Sequence, residues 1–177
     1  MIDQSTDEAA RKEHIKQLME ANNWRPERVY GSITVAHYHP NVHEAYAVLA
    51  GSSRLCLGQD VTIEQTTIDN ERGDNFVEVN LNTGDVIVIP AGVAHCSKTY
   101  SPQYRYLASY PKEGEYWRLV QKTHIDRVEN YDNLKDVAVS QNVLMPSADP
   151  VFGLESGGLL DLWDRLAWNH TQIRLAK

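Results

Sequence analysis

Four histidines and one glutamate stand in two short stretches of this chain at spacings that suit a single metal ion. His37, His39, His43 and Glu44 lie in the first stretch and His95 in the second. Imidazole and carboxylate are common ligands of iron, manganese, nickel, cobalt, zinc and copper. An ion held this way polarises a carbonyl, activates water or holds a bidentate oxygen donor, and iron adds the binding of dioxygen. Three imidazoles and a carboxylate leave one or two positions for water or substrate.

For these side chains to meet, the local structure must bring them to one face. From Val29 to Pro111 the hydrophobic period is two, in short runs rich in Val, Ile, Thr and Tyr between turn residues. The expected strands are 29–37, 44–50, 53–57, 61–67, 75–81, 86–90, 94–99 and 104–110, with a hydrophilic hairpin tip over 69–75. No crossover helices intervene, so the strands are expected to be antiparallel, in a sandwich or barrel. Alternate residues of a strand share a face. His37 and His39 then point the same way, with Ile33 and Val35 below them. Pro40 and Asn41 end that strand, and Glu44 opens the next with Tyr46 and Val48 on its side. Pro90, Ala91 and Gly92 make a tight turn before His95, which is followed on its side by Ser97 and Thr99. His37, His39, Glu44 and His95 are therefore the expected ligands of one divalent ion per chain, be it Fe, Mn, Ni, Co or Zn. The affinity order of these metals does not say which one a cell loads.

His43 divides the readings. If the strand has begun there, parity turns it away from Glu44. If the loop still runs there, it replaces a ligand, orients one, or bonds to backbone. Tyr46 and Tyr106 either line a pocket or fill the barrel. Arg105 is a candidate for holding an anionic substrate if it faces inward. Parity turns Cys96 away from the metal, and Cys56 reads the same way, as a buried inert thiol. His14, His124 and His170 read as surface residues.

Around this core the chain is simpler. Residues 6–21 are expected to form a helix with a capping box of Ser5 and Glu8, its apolar face made of Ile15, Leu18, Met19 and the stem of Arg11. Tyr116, Trp117 and Val120 are apolar enough to anchor the tail, and 124–150 reads as a polar connection with little regular structure. Residues 158–168 fit a short helix or a strand. The 177 residues suit one domain: an arm over 1–27, a barrel over 28–111 and an extension over 112–177. Trp24, Trp117, Trp163 and Trp168 lie outside the ligand stretches and suit terminal packing or a homodimer interface.

A net charge of -7 argues against nucleic acid and anionic membranes as partners. The polar, acidic first residues do not resemble a secretory signal, no apolar run is long enough to span a bilayer, and two cysteines make no disulfide framework. These features lead to the expectation of a cytoplasmic protein with a small-molecule ligand.

The two stretches also carry a family resemblance. Gly31, His37, His39, Glu44 and Gly51 fall at the spacing of the first cupin motif, and Gly84, Pro90, Gly92 and His95 at that of the second. The last position departs, with Thr99 where the family often has Asn. Further likeness to single-domain bacterial cupins of the YjlB type lies in Tyr110, Pro111 and Trp117, and in residues 149–153. The resemblance implies a mainly β fold, an antiparallel double-stranded β-helix or small jelly-roll barrel with an N-terminal helix and a C-terminal extension. It also implies that His37, His39, Glu44 and His95 occupy metal-ligand positions. The family includes dioxygenases, isomerases, decarboxylases and proteins with no known catalysis, and the fold does not choose among them. The expected function is a metalloenzyme acting on a small oxygenated molecule. The alternative is a non-catalytic binding or sensing module with a structural metal or none.

Overall fold

Strands of alternating character stack into two antiparallel sheets in the computed structural model, which describes residues 7–58, 76–121 and 131–164. The strands are β1 (Trp24–Tyr30), β2 (His37–Tyr38), β3 (Glu44–Ala50), β4 (Ser52–Gly58), β5 (Phe76–Asn82), β6 (Val86–Ile89), β7 (His95–Tyr100), β8 (Arg105–Pro111) and β9 (Val120–Gln121). One sheet has the order β1-β8-β3-β6 and the other β5-β4-β7-β2-β9. This is the mainly β, antiparallel jelly-roll arrangement expected from the sequence.

β3 shows how both faces of a sheet are filled. Tyr46 and Val48 point into the barrel, where they meet Leu55, Leu81, Ile89, Tyr104, Tyr106, Ala108 and Tyr110. Ala45, Ala47 and Leu49 point the other way, onto α1 (Glu8–Ala21), which buries Ile15 and Met19 there beside Trp24 and Leu107. The small alanines admit the helix closely, and each large apolar side chain buried this way contributes about 1.5–3 kcal/mol. Arg11 lies buried on the same helix face and donates to the Leu49 carbonyl.

Several expectations are corrected. The helix starts at Glu8, and its cap is Asp7, whose carboxylate accepts from the Ala10 amide at 2.8 Å. Ser5, the expected cap, lies outside the described residues, and Glu8 pairs instead with Arg105. The expected strand 29–37 is two strands in two different sheets, joined by a crossing after Gly31. The crossing breaks the alternation, so Ile33 packs on the core while Val35 is exposed.

The stretch 124–150 was expected to be irregular but contains α2 (Tyr131–Gln141). Among its described side chains, those that seat this helix are polar, and Val137 and Val139 face solvent. Residues 159–164 are helical, with Leu159 buried. The expected strand 61–67 and hairpin tip 69–75, together with His124, Trp168 and His170, lie outside the described residues. Among the described residues, no helix is long and apolar enough to cross a membrane.

Candidate metal centre

β2, β3 and β7 each bring candidate ligands to one end of the barrel. His37 sits opposite His95 in the β2–β7 ladder, and their ring centroids are 4.3 Å apart. His39 follows two residues later, and Glu44 is the first residue of β3. The turn before His95 is tied to this strand, because the Gly92 amide donates to the His39 carbonyl at 2.8 Å. Gly92 has a φ of 79°, and a Cβ there would lie 2.5 Å from Ser140 Oγ, so the position suits glycine alone.

Ligand atoms of His37, His39, Glu44 and His95 all lie within 4.8 Å of one another. Two ligands on one ion, each at about 2.1 Å, sit at most about 4.2 Å apart, so a shared ion requires the set to draw in by about half an ångström. All four side chains are buried, at 1–4% exposure.

The second nitrogen of each ring decides what the first offers. His37 Nδ1 faces the Val35 carbonyl at 3.0 Å, His95 Nδ1 the Val93 carbonyl at 3.0 Å, and His39 Nδ1 the Arg118 carbonyl at 2.9 Å. A carbonyl only accepts, so each Nδ1 carries the hydrogen and each Nε2 turns a lone pair inward. Glu44 Oε2 meets two of these nitrogens, 3.2 Å from His39 and 3.3 Å from His95. Its other oxygen accepts from the Tyr110 hydroxyl at 2.7 Å. Buried His95 Nε2 and Glu44 Oε2 have no donor to satisfy them. Lone pairs converging without a donor need a cation between them, and a proton is the smallest one that serves.

Titration follows the same logic. Burial and the nearby His95 lower His37 to about 4, which keeps it neutral. Burial opposes ionisation of Glu44, yet the adjoining imidazoles of His39 and His95 outweigh that and hold it down at about 2. Burial alone would lower His39, but the Glu44 carboxylate overcomes it and raises it. Burial and the facing Glu44 push the Tyr110 phenol far up, so it remains a hydrogen-bond donor.

The remaining candidates separate. His43 stands outside the cluster: its Nδ1 accepts from the Ala91 amide at 3.0 Å, and its ring meets Trp163 edge-on at 4.9 Å. It orients the turn that leads to His95. Tyr46 lies beneath the centre, its ring edge-on to His95 at 5.6 Å and stacked on Tyr106 at 3.8 Å. Arg105 is corrected: inward parity on β8 belongs to Tyr106, Ala108 and Tyr110, and Arg105 lies on the outer face paired with Glu8. Cys96 and Cys56 face each other across β7 and β4, away from the ligands and packed with Ala36 and Phe76.

Sequence reasoning assigned no role at the centre to Tyr110, Trp117 or Arg118. Trp117 covers His39 edge-on at 5.5 Å, stacks on Tyr110 at 5.9 Å, and donates from Nε1 to Glu27 at 2.7 Å. Tyr110 and Trp117 carried a signal in the resemblance to YjlB-type chains. Arg118 acts through its carbonyl, which no side-chain pattern reveals.

Comparison with known proteins gives the same picture of family. The model of a family described as Cupin matches residues 14–105. The YjlB protein of Bacillus subtilis (strain 168) is 28% identical over 127 residues, which is 72% of this chain and 64% of that protein. The chain therefore spans somewhat less than two thirds of that relative. Among solved structures, procruciferin, an 11S globulin of Brassica napus, is 13% identical with a TM-score of 0.38, covering 51% of this chain and 20% of its own. Oxalate decarboxylase of Bacillus subtilis, with Mn(II) centres, is 21% identical with a TM-score of 0.38, again over 51% of this chain and 21% of its own.

Proposed function

The chain belongs to the cupin family, and on that premise we propose that it binds one divalent metal ion per chain and works as a metalloenzyme on a small oxygenated molecule. One observation carries the reading: three inward Nε2 lone pairs and Glu44 Oε2 converge with no donor among them. His37, His39, Glu44 and His95 would hold the ion. Bound there, a divalent ion supplies a Lewis acid for a carbonyl or a bidentate oxygen donor, which suits isomerase chemistry or, with iron, dioxygenase chemistry.

The chain's own groups prepare the site. The backbone carbonyls of Val35, Val93 and Arg118 fix the three imidazole tautomers. Tyr110 keeps its proton and holds it on Glu44 Oε1, leaving Oε2 for the ion. Trp117, Tyr110 and Tyr46 surround the ligands with aromatic surface and exclude water.

A second reading has its own support. The ligands are 1–4% exposed, which suits a binding or sensing module whose ion is structural or merely holds a ligand. We also propose that the chain pairs as a homodimer, on the strength of its exposed apolar side chains Leu144, Phe152, Leu154 and Leu162. A monomeric mass in solution at micromolar concentration ends that proposal.

Elemental analysis of untagged protein beside a His37→Ala, His95→Ala double variant tests the metal reading. About one metal per chain, lost in the variant, is the expected result. Iron, manganese or nickel then directs substrate screening with and without dioxygen. Absence of metal from both proteins after reconstitution would leave the histidines as hydrogen-bonding groups of a metal-free binding module.

A further inference from the structure

With ligands only 1–4% exposed, neither an ion nor a substrate reaches the centre unless some cover moves. The barrel walls are poor candidates, because β3 and β7 each sit between two paired neighbours. The chain over 116–121 is different. It lies across the mouth with Trp117 packed on His39 and Tyr110 and is otherwise attached by discrete contacts, so it opens locally at lower cost than the paired walls. β9 pairs with β2 over two residues. Asn41 makes two bonds to it, donating to the Tyr116 carbonyl at 2.8 Å and accepting from the Arg118 amide at 2.9 Å. Trp117 donates to Glu27.

A further contact comes from α2. Asp136 is 8% exposed and receives both the Arg118 guanidinium and the Tyr38 hydroxyl, the latter at 2.8 Å. α2 is itself seated by Ser140, which donates to the Pro40 carbonyl and stands against Gly92. This side chain set therefore joins the cover to β2 and to the turn before His95. The same cover supplies the Arg118 carbonyl that fixes His39. His37 and His95 take their carbonyls from their own chain two residues back, so His39 alone depends on the cover.

We propose that residues 116–121 form the movable cover of the metal centre, and that Asp136 is the latch and positioning residue that seats it, through Arg118, on His39. The inference rests on the metal reading above. Loosening the latch opens the mouth and releases the tautomer lock on one ligand together.

The test is the rate at which zinc- or cobalt-loaded protein gives up its ion to excess chelator. Losing a charge-assisted bond to a nearly buried carboxylate is expected to speed release about tenfold in Asp136→Ala, and comparably in Asn41→Ala. Asp136→Asn, which keeps an acceptor for Tyr38, falls between. Added salt screens the half-exposed Arg118 guanidinium, so wild-type release quickens with ionic strength while Asp136→Asn stays flat, a signature that general destabilisation does not produce. Glu8→Ala breaks an exposed ion pair on the far side of the barrel and keeps the wild-type rate. Release within twofold of wild type in both Asp136→Ala and Asn41→Ala, from protein that binds the ion, overturns the cover. Failure of the wild type to take up zinc or cobalt overturns the metal reading itself, and the two failures are distinct.

Discussion

The barrel strands and the chain after Pro111 hold the same centre by different means. β2, β3 and β7 present His37, Glu44 and His95 from paired ladders backed by tyrosines and aliphatic side chains. The later segment packs Trp117 on His39 and Tyr110 and is otherwise held by discrete polar contacts, among them one carbonyl on His39, one indole on Glu27 and one carboxylate on Arg118 and Tyr38. Ladders and apolar burial spread their energy over many atoms, so the walls resist local opening. A few polar contacts concentrate theirs, so a single substitution can release the cover. The barrel thus sets stability, and the later segment sets how tightly and how reversibly the centre is closed.

The sharpest way to break that comparison is to damage each part and ask what is lost. Leu49→Ala empties a fully buried site between β3 and α1, far from the ligands, and is expected to cost about 2–5 kcal/mol. Denaturant unfolding should show a lower midpoint at the same slope, with metal content unchanged. Loss of metal by folded Leu49→Ala would mean that wall and centre are not separable.

Tyr110→Phe leaves Glu44 Oε1 without its hydroxyl while keeping the ring in place. It is expected to weaken metal binding by about 10–100-fold with little effect on folding, read by competition against a chromogenic chelator. An unchanged affinity would show that the carboxylate needs no second partner.

Cys96 refines the distinction between cover and wall. Burial and the facing Cys56 push its thiol up to about 11, on the side of the sheet away from the centre. Both thiols are expected to stay silent to a thiol reagent at pH 8, in wild type and in Asp136→Ala alike, and to react on unfolding. Fast labelling in Asp136→Ala alone would mean that the latch also braces the barrel. The smallest effect is expected from Arg105→Ala, whose exposed pairing with Glu8 leaves melting temperature and metal content unchanged.

Legibility in the sequence divides along the same line. Strand parity placed Tyr46, Val48 and the ligand side of β3 because a ladder repeats every two residues. Parity failed at Val35, where the chain crosses between sheets, and left Arg105 open until the register of β8 was known. The helix α2 escaped because, among its described side chains, those that reach the barrel are Asp136 and Ser140, and its valines face outward. Apolar periodicity reports burial, and the described anchors of this helix are hydrogen bonds.

What the sequence by itself determined was the donor set: His37, His39, Glu44 and His95, with glycines and a proline in the turns that lead to them. Residue type and a period of two are local properties, so they survive without knowledge of the fold. Tertiary structure alone decided the state of each donor. It turned His43 onto the Ala91 amide, gave Glu44 its bond from Tyr110, and brought the Arg118 carbonyl to His39 from 79 residues away. A backbone carbonyl belongs to every residue alike, and only the folded path of the chain selects the one that fixes an imidazole.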